Sequence, residues 1–293
     1  MDTPEVPDVA ALSGMLEATG YLTDESLSTA LFLAVRLGQP ILLEGEPGVG
    51  KTEAAKSLAL ALDTPLIRLQ CYEGLTSSDA LYEWNYPRQL LGIRLAEARG
   101  EALTDADLFS EDYLMARPLL AALEHPGPRP AVLLIDEVDR ADDEFEAFLL
   151  ELLAESTVTI PELGTRHAII PPIAVLTSNR TRDLHDALKR RCLYHWIAHP
   201  DVDRVAAIIR RRVPGAADWL AERVAGSVHR LRGLDLYKPP GIAEAISWAA
   251  ALHVLGVEVL DEEAAGRTMS AVLKYDEDRV TVAARGLAGV VGD

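Results

Sequence analysis

The stretch Gln39–Ala61, QPILLEGEPGVGKTEAAKSLALA, constrains the fold of this chain more than any other part of it. Its apolar start is typical of a buried strand, and Lys51 opens an Ala/Leu-rich segment typical of a helix. Between them, Gly45, Gly50, Lys51 and Thr52 match the pattern G-x-x-x-x-G-K-[ST], whose glycines let backbone amides approach phosphate oxygens. In this pattern the lysine reaches the β and γ phosphates and the threonine hydroxyl ligates Mg²⁺.

The sequence therefore predicts a phosphate-binding loop. Its candidate residues are Gly45, Glu46, Pro47, Gly48, Val49, Gly50, Lys51, Thr52 and Glu53. The alternative is a chance match in an unrelated strand, turn and helix, but the apolar segment before the motif and the helical segment after it are the context that the motif requires.

Composition limits the classes of protein that fit. The 293 residues are 49% hydrophobic, enough for one large and one small domain with a sizeable core. Because 46 acidic residues outweigh 28 basic ones, the net charge of −18 disfavours nonspecific binding to nucleic acid or anionic lipid. Cys71 and Cys192 are too few for a disulfide framework or a zinc site. The acidic amino terminus has no signal-peptide pattern and no apolar run reaches membrane-span length, so we expect a cytoplasmic protein.

Five apolar segments predict strands separated by helical stretches. They are Pro40–Leu43, Leu66–Gln70, Ala131–Ile135, Ile173–Thr177 and Tyr194–Ala198. Helical spacing over Val9–Thr19 and Glu25–Leu37 predicts two helices before the first strand. This alternation indicates an α/β fold with a parallel sheet, whose ligands bind at the carboxyl ends of the strands.

The chain changes character after Pro200. From Asp201 the strand signals stop and helical patterns alternate with Gly and Pro. We therefore predict an α/β domain over residues 1–200 and a small all-helical domain over residues 201–293. The tail from Arg285 is Gly-rich, as poorly ordered termini often are, and the sequence leaves its order open.

A pair of carboxylates follows the third predicted strand. Asp136 is suited to the Mg²⁺ shell and Glu137 to polarising an attacking water. Asp142, Asp143 and Glu144 fit a solvated first helical turn better, because acidic side chains favour the positive end of a helix.

Two further polar groups lie near later strands. Asn179 follows the fourth strand, where it either orients a lytic water or serves as a turn residue. Arg190 and Arg191 precede the fifth strand. They either satisfy the carbonyls of a helix end or provide an arginine to the γ-phosphate of a neighbouring subunit, and their spacing alone leaves both interpretations open.

With these elements in place, the chain resembles the AAA+ ATPases and, more narrowly, the MoxR family. GEPGVGKTEAAK resembles the family's Walker A motif, LLIDEVDRADDEFEAFLLELLAE its Walker B motif and TSNR its sensor 1. LQCYEGLTSSDALYEWNYPRQLLGIR and LKRRCLYHWIAHP resemble the CoxD-type branch, which is associated with carbon monoxide dehydrogenases and related molybdenum hydroxylases.

The resemblance implies a P-loop NTPase fold of AAA+ type with a helical lid, and Mg²⁺-dependent hydrolysis of ATP. It implies that Lys51 contacts phosphates, Thr52 and Asp136 serve Mg²⁺, and Glu137 is the catalytic base. It also implies that Asn179 is sensor 1 and that Arg190 or Arg191 is the arginine finger, with Arg191 preferred.

The resemblance further implies a homohexameric ring that remodels a protein client, a molybdenum hydroxylase, with a von Willebrand factor A domain protein as adaptor. Two inserts, Gly74–Ile93 and a hairpin over Thr157–Ile170, would face the central channel. Tyr82, Trp84 and Tyr86 in the first insert would grip a client if exposed; the alternative is a local hydrophobic cluster.

One segment departs from the family. Where the family has a sensor 2 arginine, this chain reads YKPPGIAE from Tyr237, with Lys238 as a weak substitute. The alternatives to a remodelling ATPase are a nucleic-acid motor, disfavoured by the net charge, a nucleotide-controlled assembly switch, and a small-molecule kinase, disfavoured by the Asp136–Glu137 pair.

Overall fold

The computed structural model describes residues 6–292, so the first residues of the acidic amino terminus and the last residue of the tail lie outside the described part. The strands, in chain order, are β1 (Ile41–Gly45), β2 (Leu66–Gln70), β3 (Tyr82–Trp84), β4 (Leu114–Ala116), β5 (Val132–Asp136), β6 (Thr157–Ile160), β7 (Gly164–His167), β8 (Ile173–Ser178) and β9 (Leu193–Ile197).

A five-stranded sheet of order β2-β5-β8-β1-β9 forms the centre of the α/β part. The pairs β2–β5, β5–β8 and β8–β1 are parallel, with Leu134 opposite Val175 and Leu42 opposite Leu176. Strands β1, β5 and β8 are buried along their whole length, as expected for parallel strands covered on both faces. The predicted fold class is confirmed, and each of the five predicted strands lies within two residues of its observed bounds.

The helices alternate with these strands and then continue alone. They are α1 (Val9–Ala18), α2 (Glu25–Leu37), α3 (Lys51–Ala61), α4 (Ser77–Leu81), α5 (Tyr86–Arg99), α6 (Asp105–Leu108), α7 (Pro118–Leu123), α8 (Asp143–Glu155), α9 (Asp186–Arg191), α10 (Val202–Arg212), α11 (Asp218–Arg232), α12 (Ile242–Val254), α13 (Glu262–Val272), α14 (Asp276–Arg285) and α15 (Ala288–Val291).

Contacts divide the chain into two compact units. The first contains the described residues up to Thr19 together with Thr23–Glu44 and Thr52–Trp196. The second contains Gly20–Leu22, Gly45–Lys51 and the chain from Ile197 onward. The glycine-rich loop is therefore grouped with the helical part of the chain, although it follows a strand of the sheet.

Helix α8 illustrates how the first unit is held together. Asp142 caps its amino end by accepting a hydrogen bond from the Phe145 amide at 2.9 Å, as the acidic first turn predicts. Phe145, Leu149 and Leu152 then recur at helical spacing and pack in the core with the sheet. Burial of a side chain such as that of Phe145 contributes roughly 1.5–3 kcal/mol.

The second unit has its own core, formed by α10 to α15. At its centre the Trp248 side chain is fully buried, and its indole Nε1 donates to Thr268 Oγ1 at 2.8 Å. The hydroxyl of Thr268 donates in turn to the Ala264 carbonyl at 2.7 Å. The indole proton is thus satisfied within the core, which removes the cost of burying an unpaired donor.

The Gly-rich tail contains a short helix. Residues 288–291 form α15, in which Val290 and Val291 are buried. The Arg230 guanidinium donates to both of their carbonyls, at 2.7 and 2.8 Å. The buried valines and the hydrogen bonds from Arg230, about 60 residues earlier in the chain, hold this part of the tail against the second unit's core.

The two predicted inserts differ in character. Residues 157–170 contain the antiparallel hairpin β6–β7, as predicted. In the other insert Trp84 is buried and makes edge contacts with Tyr82 and Phe109, whereas Tyr86 is exposed. Tyr82 and Trp84 therefore form a packed cluster, the alternative that the sequence left open, and only Tyr86 is available on the surface from this trio.

Within residues 6–292, no helix combines the length and the apolar character needed to cross a bilayer.

Replacement of Gly45 by alanine is expected to destabilise the protein, because the added Cβ would lie 2.4 Å from the backbone oxygen of Ile197. The overpacking should cost about 1–3 kcal/mol. Gly14→Ala is the matched control, since its Cβ meets nothing within 4 Å in helix α1 and should not lower stability. Urea denaturation followed by circular dichroism measures both, and equal midpoints would contradict the predicted clash.

Candidate active site

The carboxylate of Asp136 lies at the centre of the candidate site, at the carboxyl end of β5, and is 2% exposed. Its Oδ1 accepts hydrogen bonds from the hydroxyls of Thr52 at 3.0 Å and Thr177 at 2.5 Å. Its Oδ2 accepts from Arg68 Nε at 3.0 Å and Nη2 at 2.6 Å. These partners come from α3, β8 and β2, because neighbouring parallel strands end at the same edge of the sheet.

Glu137 adopts a strained backbone conformation immediately after this carboxylate. Its φ of 56° and ψ of 50° lie in the left-handed region, which is uncommon for residues other than glycine. The Glu137 amide donates to Thr177 Oγ1 at 2.9 Å, and the same hydroxyl donates to Asp136. Thr177 therefore holds the backbone between the two adjacent carboxylates in this conformation.

The side chain of Glu137 is held by three polar partners. Gln70 Nε2 donates to its Oε2 at 3.1 Å and Arg140 Nη1 donates to the same oxygen at 3.2 Å. Asn179 Nδ2 donates to Oε1 at 3.3 Å. The carboxylate is 33% exposed, so it is oriented by these contacts and still reaches solvent.

Asp139 fixes the loop that carries Asn179. Its buried carboxylate accepts from the amides of Asn179, at 3.2 Å, and Thr181, at 2.8 Å. The Thr181 hydroxyl donates to it at 2.7 Å. The segment after β8 is thus tied to the segment after β5, which accounts for the short distance between Asn179 and Glu137.

Cys71 also lies beside these carboxylates. Burial, followed by the charges of Asp136, Asp139 and Glu137, raises its thiol pKa to about 12. Its amide donates to the Asp136 carbonyl at 2.9 Å. The thiol stays protonated at neutral pH, so Cys71 serves here as a packing residue.

The phosphate loop precedes α3. The ammonium of Lys51 is buried and donates to the carbonyls of Gly45 and Glu46, each at 2.8 Å. Gly48 and Gly50 have positive φ values of 80° and 98°, which residues other than glycine rarely adopt. Gly48 and Gly50 therefore stand where the backbone of the loop requires glycine.

The remaining candidate residues of the phosphate-binding segment differ in exposure. Pro47 is exposed, Val49 is buried, and Glu53 lies in the first turn of α3, where its carboxylate is 3.9 Å from the ammonium of Lys56.

An arginine at the end of α11 contacts the phosphate loop. Arg232, the last residue of α11, forms an ion pair with the carboxylate of Glu46 and donates to the Pro240 carbonyl at 3.0 Å. Its side chain is 17% exposed. Burial first, and then the Arg232 charge, lower the pKa of the nearby His199, so this histidine is neutral at neutral pH.

Arg190 and Arg191 are on the surface at the end of the short helix α9. Arg191 Nη1 lies 3.5 Å from the carbonyl of Leu150, a long hydrogen bond. Neither arginine is among the partners of Asp136 or Glu137.

The donor set fits Mg²⁺. Thr52 and Asp136 offer a hydroxyl and a carboxylate in contact with each other, both hard oxygen ligands. Within residues 6–292 there is no cluster of three or more His, Cys, Asp or Glu residues arranged to hold a metal. Mg²⁺ is commonly bound through one or two protein oxygens and keeps water and phosphate oxygens as its other ligands.

Sequence reasoning missed Arg68, Gln70, Asp139 and Arg232. Arg68 and Gln70 did leave a signal, because polar residues two apart in a strand share one face. Asp139 and Arg232 left none, since their partners are identified only once distant segments come together.

Comparison with known proteins decides the family. Residues 40–192, more than half of the chain, match the family model described as AAA domain (dynein-related subfamily). The chain belongs to this family. The matched segment begins immediately before β1 and ends between α9 and β9, so it includes the phosphate loop, Asp136, Glu137, Asn179 and both candidate finger arginines.

The chain is similar in sequence to curated proteins of several kinds. It is 24% identical to the denitrification regulatory protein NirQ of Pseudomonas aeruginosa, over 86% of this chain and 88% of NirQ. It is 26% identical to the gas vesicle ATPase GvpN1 of Halobacterium salinarum, over 67% of this chain. The chain spans 57% of GvpN1 and only 16% of a Lon protease from Desulforamulus reducens, to which it is 31% identical over half of its own length.

Solved structures support the fold. A mutant of Thermotoga maritima RuvB aligns with a TM-score of 0.51 and 20% sequence identity, covering 90% of this chain and 72% of that one. At this low identity the likeness establishes the fold alone.

Replacement of Thr177 by valine keeps the shape of the side chain and removes the hydroxyl that bridges the Asp136 carboxylate and the Glu137 amide. It should destabilise the protein by about 1–3 kcal/mol, because both buried groups lose a partner. Thr177→Ser keeps the hydroxyl and is the control. Chemical denaturation distinguishes the two, and a valine variant as stable as the serine variant would show that the bridge is dispensable.

Proposed function

We propose that this AAA protein binds ATP with Mg²⁺ and hydrolyses it to ADP and phosphate. The observation that carries the proposal is the arrangement of Glu137, whose carboxylate is oriented by Asn179 and Gln70 beside the Asp136–Thr52 contact. A base and its orienting amide next to a ligand pair for a metal is the constellation that attack of water on a phosphoryl group requires.

In this proposal the loop Gly45–Thr52 holds the phosphates through its amides, and Lys51 exchanges its carbonyl partners for phosphate oxygens. Thr52 and Asp136 would hold Mg²⁺. The cation, when bound, neutralises charge on the β and γ phosphates. Arg68 neutralises part of the Asp136 charge and restrains its Oδ2.

Glu137 is the proposed general base. Its partially exposed carboxylate would accept the proton of an attacking water, and Asn179 Nδ2, already directed at Glu137, would orient that water. Gln70 and Arg140 hold the other carboxylate oxygen, which leaves Glu137 few alternative orientations.

We further propose a homohexameric ring in which Arg191, or its neighbour Arg190, approaches the γ-phosphate of the adjacent subunit. Both arginines lie on the surface at the end of α9, as this role requires. Charge that develops on the transferred phosphoryl group needs such a cation.

The cellular role that we propose is narrower. The chain would be a MoxR-type ATPase of the CoxD branch, acting in the cytoplasm with a von Willebrand factor A domain adaptor to remodel a molybdenum hydroxylase. Support for the CoxD branch and its client comes from the sequence phrases given above, and NirQ, a relative over 86% of this chain, supports only the MoxR type. Exposed Tyr86 is the residue of the first insert that would contact the client.

Glu137→Gln should abolish phosphate release and leave ATP binding intact, because the amide keeps the size of the carboxylate and cannot take a proton. Glu144→Gln, at an exposed position of α8, is the matched control and should keep the full rate. Phosphate release and equilibrium binding of a fluorescent ATP measure the two properties. An undiminished rate would remove Glu137 from the catalytic role.

Mixing of two inactive variants tests the shared site. Lys51→Ala should lose nucleotide binding, and Arg191→Ala should lose turnover in the neighbouring site. A mixture of the two should regain part of the activity, since some interfaces would pair an intact pocket with an intact arginine. Arg190→Ala mixed in the same way tells which arginine acts. Failure of both mixtures, with mixed assembly verified by mass, would contradict a finger supplied by the neighbour.

A further inference from the structure

Within the second unit, the phosphate loop contacts the end of α11 and the segment that leads into α12. The first contact is the ion pair of Glu46 with Arg232, whose guanidinium also donates to the Pro240 carbonyl at 3.0 Å. The second is a backbone hydrogen bond, in which the Ile242 amide donates to the Gly48 carbonyl at 3.2 Å. A side-chain contact and a backbone contact therefore join the same two segments.

Close packing accompanies the second attachment. A Cβ added at Gly241 would lie 3.2 Å from Gly48 Cα and 3.2 Å from the Pro47 carbonyl oxygen. A side chain at Gly241 would therefore push the two segments apart by a few tenths of an ångström, and the missing side chain lets them pack more closely. The Gly241 amide is meanwhile satisfied by Glu244 Oε2 at 2.9 Å, so the segment before α12 is itself ordered.

Glu46 is held on both sides. Its carbonyl accepts from the Lys51 ammonium at 2.8 Å, and its carboxylate is paired with Arg232. Arg232 is 17% exposed, whereas Glu46 is 53% exposed, so the arginine is the fixed partner and the loop residue is the one that it restrains. The chain has no arginine at the start of α12, and Arg232 lies ten residues earlier, at the end of α11.

We propose that Arg232 is a positioning residue for the phosphate loop. By holding Glu46 against the segment before α12, it orders the loop before nucleotide arrives and lowers the entropy lost on binding. The inference rests on the proposed nucleotide site. It assigns Arg232 to the loop rather than to the γ-phosphate, so ADP and ATP depend on the arginine equally. By linkage, nucleotide binding must in turn strengthen the attachment of the loop to α11 and α12.

The test is a double-mutant cycle on nucleotide affinity in the full chain, with fluorescent ADP and fluorescent ATP as probes. Arg232→Ala and Glu46→Gln should each weaken binding of both nucleotides about fivefold, roughly 1 kcal/mol. The double variant should lose no more than either single variant. The charge exchange Glu46→Arg with Arg232→Glu should recover affinity to within about twofold of the original chain. Arg210→Ala removes a comparable pair with Asp218 and Glu222 on the same helical unit and should have no effect.

A second readout separates positioning from general stability. Hydrogen exchange of the amides in residues 46–50 should be faster in Arg232→Ala without nucleotide, while the unfolding midpoint stays close to that of Arg210→Ala. Unchanged affinities, additive losses, or a loss confined to ATP would each overturn the proposal, the last because it would indicate a γ-phosphate contact. If the original chain and Lys51→Ala both fail to bind nucleotide, the proposed function fails instead; if only Lys51→Ala fails to bind while Arg232→Ala binds normally, the positioning role alone is wrong.

Discussion

The buried negative charge of Asp136 is the constraint on which the candidate site depends. A carboxylate that is 2% exposed must be paired, because an isolated charge in the interior costs several kcal/mol. The chain supplies two hydroxyls and a guanidinium, one from the helix after the phosphate loop and two from neighbouring strands. The need to satisfy one charge thus brings together Thr52, Arg68 and Thr177, and the parallel sheet makes this possible because its strands end side by side.

Thr177 also fixes the backbone of Glu137, the residue that follows Asp136. Its hydroxyl is shared between Asp136 and the amide of Glu137, whose left-handed backbone persists because that amide is held. A strained backbone at a residue other than glycine is typical of functional sites, where the surrounding structure holds the residue in a sparsely populated conformation. Glu137 then meets Gln70, Arg140 and Asn179, so the position of the proposed base follows from contacts that begin at Asp136.

Motifs and elements formed by neighbouring residues could be predicted from the sequence, whereas contacts between distant segments could not. The phosphate loop and the buried strands could be identified because glycine spacing and uninterrupted apolar runs are signals within a few residues. The polar face of Arg68 could be identified but not its partner, which is 68 residues away. Arg232 could not be assigned, since its partner is 186 residues away and an arginine at a helix end has a common structural use. The order of the tail was left open by the sequence for the same reason: the hydrogen bonds of Arg230 to the carbonyls of Val290 and Val291 join segments about 60 residues apart.

The most direct test of the account is the rate of ATP hydrolysis per subunit as a function of protein concentration, with the mass of the assembly determined in parallel by sedimentation. We expect Mg²⁺-dependent phosphate release that rises steeply as ring-sized species appear, because in the proposed mechanism Glu137 acts within one subunit and Arg191 or Arg190 completes the neighbouring site. Phosphate release that is absent at concentrations where rings are present would contradict the ATPase, and a constant rate per subunit in a stable monomer would contradict the shared site.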